Sequence, residues 1–376
     1  MNETLLQNWI QKRKALRRRL AGVMSFNSAD LNGGFRLLAS EDCGSYVQRS
    51  ISFKNTEGQV VKGFMLVPKG VRNAPAVIAQ GTGRTKELVV GQRGYRWCGL
   101  DDIPDSPLQS AHRHGSELAQ RGYVVLTMDF DFFGERRGTQ IQGLEASAWM
   151  QARLDGWRAE NQGSDSGVAE GRFQGWMNEF LRTYPELVGF REGLLHGRCT
   201  AGRNALEIAQ ATRILAGLPE VDGKRIGVMG HSSGGINVIW AMALCPELAV
   251  GVCSCGLSSY GEILKKRFLH GTNLYVPGIL DLIEEMWEVV ALIAPRPLWV
   301  GNCRDDAGFP IRGTRSTLRK AKEIYTGLKA PRNLRFLVDD AVEHDFTPRL
   351  KQDAFLWLDR MLKPDEFSQG GKEIRR

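Results

Sequence analysis

The chain has 376 residues, of which 42% are apolar and 24% charged, and its formal net charge is +8 at neutral pH. This length and composition suit one large globular domain with additions, or two modest domains. The sequence lacks zinc-finger spacing, an aromatic RNA-binding signature and a long basic tail, so we expect no nucleic-acid partner. It also lacks an apolar stretch of about 18 residues, so we expect no insertion into a membrane.

The first 45 residues are predicted to form a helical extension. Residues 3–22 have the spacing of an amphipathic helix, and the basic run from Arg17 to Arg19 is interpreted as its solvated face. The helix could be a dimerisation arm or a cap on the domain, so the sequence is compatible with a homo-oligomer. The N-terminus has charges but no apolar core of a secretory signal.

The main domain is predicted to cover residues 46–363 and to begin with an antiparallel hairpin. Residues 46–54 and 60–68 alternate in period two around Gly58, which can take the positive φ of the turn. Short apolar runs then predict buried strands at 74–80, 123–130, 225–230, 250–255, 297–302 and 333–339. Helical spacing appears at 108–121, 200–218, 233–244, 279–294 and 346–363. This alternation indicates a mostly parallel sheet with helices on both faces, an α/β fold.

Two long connections interrupt this order, at about 131–199 and 256–292. Both leave the sheet at carboxyl ends of strands, the edge where open α/β sheets bind ligands. We therefore expect them to form the lid or the walls of a pocket. The first is rich in aromatic residues, including Trp149, Trp157 and Trp176. Residues 364–376 are predicted to be a polar tail.

The seven cysteines form no CxxC pair. An odd number without framework spacing indicates reduced thiols and a cytoplasmic location. Cys253 and Cys255 lie two residues apart in an apolar run, and we interpret both as core residues on one face of a strand rather than as metal ligands. No metal ion or organic cofactor is expected.

The segment Gly230-His-Ser-Ser-Gly234 matches the pattern G-x-S-x-G. It follows an apolar strand and opens an apolar helix, which is the arrangement of the nucleophile elbow in α/β-hydrolases. Glycines permit the tight turn, and the amino end of the helix favours negative charge developing beside the serine. We therefore predict Ser232 as a nucleophile, with the backbone N–H of Ser233 as one oxyanion donor.

A serine hydroxyl needs a base, and the chain has six histidines. His231 lies inside the elbow and would point along the turn, and four others precede the nucleophile or lie in the long connections. His344 follows the last predicted strand and precedes the final helix. In the α/β-hydrolase order of serine, acid and histidine, this loop carries the base. His344 is therefore the predicted base.

The acid should follow the preceding strand, where both Asp305 and Asp306 qualify. Asp339 and Asp340 are better suited to capping a strand end. The second oxyanion donor should come from the loop after the strand 74–80. There the N–H of Gly81 or of Thr82 is the natural donor, because glycines let the backbone approach closely.

These motifs resemble the dienelactone hydrolase and acetylxylan esterase group of α/β-hydrolases over about residues 60–363. The resemblance rests on 219–235 (PEVDGKRIGVMGHSSGG), 121–129 (RGYVVLTMD), 133–136 (FGER) and 292–298 (LIAPRPL). It implies that the acid is Asp306, a few residues before Pro310, and that the base is His344. Two positions differ from the group: dienelactone hydrolases carry cysteine where Ser232 stands, and many relatives carry His-Gly where this chain has Gln80-Gly81.

The sequence thus predicts a serine esterase that acts on a small-molecule carboxylic ester with a small or medium acyl group. A serine peptidase, or an acyl-transfer or lyase enzyme of a biosynthetic pathway, would use the same three residues. A non-catalytic binding protein would have no need of all three.

Overall fold

A computed structural model describes residues 3–29, 31–81, 86–91, 112–131, 133–137, 156, 159, 186–266, 270–340 and 344–363. Most of the first long connection, the start of the predicted helix 108–121 and the tail 364–376 lie outside these residues. The second long connection is described except for residues 267–269.

A nine-stranded sheet organises the fold, in the order β1-β2-β3-β5-β4-β6-β7-β8-β9. Its strands are β1 Arg36–Asp42, β2 Tyr46–Lys54, β3 Val60–Pro68, β4 Ala74–Gln80, β5 Val124–Met128, β6 Val221–His231, β7 Val250–Ser254, β8 Leu298–Cys303 and β9 Leu334–Asp339. From β5 to β9 all neighbouring strands are parallel. Every residue of β4, β5, β7 and β8 is buried, as expected for parallel strands covered on both faces. The mostly parallel sheet is therefore confirmed.

The predicted hairpin is also confirmed, because β2 and β3 pair antiparallel with Lys54 opposite Val60. A further antiparallel strand, β1, pairs with β2 at the edge of the sheet. It lies within residues 1–45, for which only a helical extension was predicted. All seven of its side chains are exposed, so its residues do not alternate between buried and exposed positions.

Eleven helices are found in the described residues. They are α1 Glu3–Val23, α2 Lys86–Val90, α3 His114–Gln120, α4 186–195, α5 Thr200–Ala216, α6 Ser233–Leu244, α7 Tyr260–Lys266, α8 Ile279–Leu282, α9 Met286–Ile293, α10 Ile311–Gly327 and α11 Pro348–Leu362. One core cluster joins α1, α5, α6, α9 and α10 to one face of the sheet. A second joins α2, α3 and α11 to the other face. None of these described helices has both the length and the apolar character needed to span a membrane.

Further features of the structure differ from what the sequence predicts. The segment 279–294, expected to be one helix, forms two helices. The Glu285 side chain accepts a hydrogen bond from the N–H of Met286 and thereby starts the second helix. The helix Ile311–Gly327 was not predicted. Cys253 and Cys255 do not share a face, since they belong to different core clusters. Cys255 lies beyond the end of β7 with φ of 45°, and this left-handed backbone reverses its side chain.

Candidate active site

Ser232 occupies a sharp turn between β6 and α6. Its backbone has φ of 56° and ψ of −120°, a conformation that is rare for a residue other than glycine. An added Cβ would lie 2.4 Å from the Gly234 carbonyl carbon if placed at Gly230, and 2.3 Å from the Gly81 oxygen if placed at Gly234. These positions therefore require glycine, and the strained turn has the geometry expected of a nucleophile elbow.

His344 lies close to this serine, although the two residues are far apart in the chain. Its Nε2 is 2.6 Å from the Ser232 Oγ, which is hydrogen-bond distance. The loop after β9 carries His344, and its side chain is 35% exposed. The predicted nucleophile and the predicted base are thus within reach of proton transfer.

Asp306 stands on the other side of the imidazole ring. Its Oδ2 is 2.8 Å from His344 Nδ1, and its Oδ1 accepts hydrogen bonds from the N–H groups of Gly308 and Phe309, each at 2.9 Å. The Asp306 side chain is buried, whereas Asp305 is exposed. Of the two candidate acids, Asp306 is therefore the one that contacts His344. The pairing assigns the ring proton to Nδ1, which leaves Nε2 as the acceptor toward Ser232.

Asp339 and Asp340 make contacts of another kind. Asp339 Oδ2 accepts a hydrogen bond from the Thr347 hydroxyl at 2.6 Å. Asp340 forms an ion pair with Arg304. The Asp339 contact ties the end of β9 to Thr347, the residue that caps the last helix, whereas the exposed Asp340 pair joins the ends of β8 and β9.

The oxyanion donors were predicted at Ser233 and in the loop after β4. Ser233 is the first residue of α6, so its backbone N–H has no acceptor within the helix. Gln80 pairs with Gly230 across the sheet, which brings the following Gly81 against the elbow. Thr82 lies outside the described residues. Both amide atoms of the buried Gln80 side chain lack a hydrogen-bond partner within the described part of the chain.

Two rings flank the imidazole of His344. Phe309 is stacked on it, with ring centroids 5.7 Å apart, and His231 packs at 5.0 Å.

His270 Nε2 donates to the Gly308 oxygen at 2.6 Å, so a residue of the second long connection fixes the turn that holds Asp306. No local sequence pattern indicates this role of His270, because the bond joins residues 38 positions apart.

The second long connection also contacts the elbow helix. The Asn273 amide nitrogen donates to the Ser233 oxygen at 2.9 Å and to Asn237 Oδ1 at 2.7 Å. The neighbouring Thr272 donates its N–H and its hydroxyl to one oxygen of the buried Glu186, at 2.5 and 2.7 Å. Residues 272 and 273 therefore link the start of α6 to α4.

No protein-family model matches the chain. Two proteins of Bacillus subtilis (strain 168) are similar in sequence. YtaP, provisionally named a hydrolase, is 28% identical over 175 residues, which are 46% of this chain and 58% of YtaP. YitV, provisionally named an esterase, is 26% identical over 137 residues, which are 33% of this chain and 52% of YitV. The chain thus matches little more than half the length of either relative.

Solved structures of esterases share the fold. An acetyl xylan esterase, provisionally assigned, from Bacteroides fragilis NCTC 9343 has a TM-score of 0.63 and 15% identity, over 89% of this chain and 76% of that one. A glucuronoyl esterase from Solibacter usitatus has a TM-score of 0.61 and 14% identity, over 92% and 91%. Acetyl xylan esterase 1 from Thermoanaerobacterium sp. JW/SL YS485 has a TM-score of 0.53 and 15% identity, over 96% and 99%. The chain therefore has the α/β-hydrolase fold and resembles the esterase-like group of that fold.

Proposed function

We propose that the chain is a serine-dependent hydrolase that cleaves a carboxylic ester through an acyl-enzyme on Ser232. The observation that carries this proposal is the continuous pair of short hydrogen bonds from Ser232 through His344 to Asp306, of 2.6 and 2.8 Å. Esters are favoured over peptides because the structural neighbours are named acetyl xylan esterase and glucuronoyl esterase. The proposed substrate is an ester with a small or medium acyl group.

The reaction proceeds in two steps. His344 Nε2 takes the hydroxyl proton as Ser232 attacks the ester carbonyl, and buried Asp306 stabilises the imidazolium that forms. The negative oxygen of the tetrahedral intermediate is held by the N–H of Ser233 and an N–H of the loop at Gly81 and Thr82. The alcohol leaves with the proton of His344, and water then repeats the sequence on the acyl-enzyme.

The two long connections, at about 131–199 and 256–292, are proposed to cover this site, within a hydrolase domain over residues 46–363. The hydrogen bond of Asn273 to the Ser233 oxygen supports this for the second connection. The cytoplasmic location stays a prediction.

Turnover of short- and medium-chain nitrophenyl esters tests the proposed function. Ser232→Ala should lower kcat by roughly 10⁴-fold or more, because the variant lacks the oxygen on which the acyl-enzyme forms. Ser233→Ala is the matched control: it removes a neighbouring hydroxyl but keeps the backbone N–H that the mechanism uses. Ester hydrolysis by folded Ser232→Ala at a rate close to that of wild type would overturn the proposal.

A further inference from the structure

Two thiols lie beside the acid and the base. Cys255 follows β7 and Cys303 ends β8, and these strands are neighbours in the sheet. Their sulfur atoms are 3.9 Å apart, and both lie within reach of the Asp345 oxygen, at 3.6 and 3.4 Å. Both side chains are completely buried. Since Asp345 directly follows His344, the thiols support the loop that carries the base.

Cys255 is the thiol that reaches the active-site residues. The Cys255 sulfur, a carboxylate oxygen of Asp306 and a ring nitrogen of His344 all lie within 4.8 Å of one another. The left-handed backbone of Cys255, with φ of 45°, directs the side chain to this side of the sheet. Cys253, two residues earlier, is equally buried but packs in the other core cluster.

These three atoms form a ligand set for a thiophilic divalent cation. Zinc binds thiolate at about 2.3 Å, and imidazole and carboxylate at about 2.0–2.2 Å. Ligand atoms around a tetrahedral ion with these bond lengths are roughly 3.3–3.8 Å apart. His344 Nδ1 and Asp306 Oδ2, which are 2.8 Å apart, need to separate by about 0.5 Å, whereas the Cys255 sulfur, within 4.8 Å of both groups, needs to approach by up to about 1 Å. The partly exposed ring of His344 offers the way in.

We propose that Cys255, Asp306 and His344 bind a thiophilic divalent cation of the zinc and cadmium class, and that this binding reversibly blocks the active site. The inhibition rests on the proposed function, whereas the binding does not. The ion coordinates the Cys255 thiolate, whose proton passes to solvent, and the Nδ1 of His344, the nitrogen that faces Asp306. The ring proton then moves to Nε2, from which it is donated to Ser232. His344 can no longer accept the serine proton, so the nucleophile is not activated.

Cadmium titration of the whole chain tests the binding. The readouts are the ultraviolet band of the cadmium–thiolate bond and the rate of nitrophenyl ester turnover, each compared with the same protein in excess chelator. The variants are Cys255→Ala and Cys255→Ser, with Cys253→Ala as the matched control. We expect the cadmium–thiolate absorbance of both Cys255 variants to be lower than that of wild type by the contribution of this thiol. They should also require roughly ten-fold more cadmium or more for half-inhibition of their own rate.

Equal cadmium sensitivity of Cys255→Ser and wild type would overturn the proposal, as would an undiminished band in both Cys255 variants. A loss of the band in Cys253→Ala equal to that in Cys255→Ala would also overturn it. If neither Cys255 variant folds, wild type alone decides: cadmium must slow fluorophosphonate labelling and chelator must restore it. A wild type without esterase activity would contradict the proposed function, while the cadmium–thiolate band would still test the site.

Discussion

At the scale of single residues, the imidazole of His344 is held on four sides. Ser232 and Asp306 each make a hydrogen bond with one of its two nitrogens. The Phe309 ring stacks on the imidazole, and the His231 ring packs against it at a tilt. A ring confined in this way keeps both hydrogen bonds aligned without losing further freedom during the reaction. The orientation of the base therefore depends on its neighbours as much as on the acid.

Asp306→Asn is expected to lower kcat by about 10⁴-fold, because an amide in place of the carboxylate favours the wrong tautomer of His344. Asp305→Asn is the matched control, and its kcat should stay within about two-fold of wild type since Asp305 is exposed. Steady-state hydrolysis of a nitrophenyl ester measures both. Comparable losses in the two variants would contradict the assignment of Asp306 as the acid.

The sequence predicted Ser232 and His344 from the elbow motif and from chain order, but it could not separate Asp305 from Asp306 by spacing. The structure shows what distinguishes them. The Asp306 carboxylate is turned inward by the N–H groups of Gly308 and Phe309. That turn depends in part on His270, whose contact with Gly308 is a long-range contact that no local pattern reveals.

At the scale of elements, the buried strands were predicted because their apolar runs are continuous. Helix α10, Ile311–Gly327, was missed because its buried side contains small and polar residues such as Gly313, Thr314 and Thr317 beside its few large apolar ones. An added Cβ at Gly313 would lie 2.2 Å from the Ser258 hydroxyl, so this helix packs by close approach rather than by a wide apolar stripe. Its apolar residues nevertheless recur with a clear helical period, so the sequence did contain a signal for this helix.

The N-terminal helix α1 packs against the domain. Trp9, Leu16 and Leu20 are buried in the core cluster that also contains α6 and α9. Arg17, expected in a solvated face, instead donates hydrogen bonds to the oxygens of Ala243 and Leu292, at 3.0 and 2.6 Å. Both acceptors lie in the last turn of a helix, where cations are favoured. Arg18 and Arg19 are exposed, as predicted.

Leu20→Ala should therefore destabilise the whole protein, lowering the free energy of unfolding by about 2–5 kcal/mol through the cavity it leaves. Its side chain is 0% exposed. Ile10→Ala on the same helix is the control, because Ile10 is 45% exposed, and it should cost less than about 0.5 kcal/mol. Chemical denaturation measures both values. Equal, small effects would mean that α1 is not an integral part of the domain.

At the scale of the whole molecule, stability should depend on pH through a histidine outside the catalytic residues. His114 is completely buried, with its ring edge-on to Phe346 at 5.9 Å. Burial, together with the nearby positive charge of Lys351, lowers the pKa of His114 to about 4. The folded protein therefore keeps this ring neutral in a pH range where the unfolded chain protonates it.

The lowered pKa of His114 makes the free energy of unfolding depend on pH. The stability contributed by neutral His114 is present above the unfolded pKa of about 6.5 and is lost as pH falls toward 4, because the unfolded state binds the extra proton. His114→Phe removes this term, so its free energy of unfolding should fall less between pH 6.5 and pH 4, by up to about 3 kcal/mol. Denaturation at several pH values measures the difference. Parallel pH profiles for wild type and variant would contradict the neutral state of His114.

Intact-mass measurement after fluorophosphonate treatment shows whether Ser232 is a nucleophile activated by His344. The reagent is attacked by an activated serine and stays attached to it. We expect one adduct per wild-type chain and none on folded Ser232→Ala, because Ser232 is the proposed nucleophile. An adduct on Ser232→Ala, or no adduct on folded wild type, would contradict this role of Ser232.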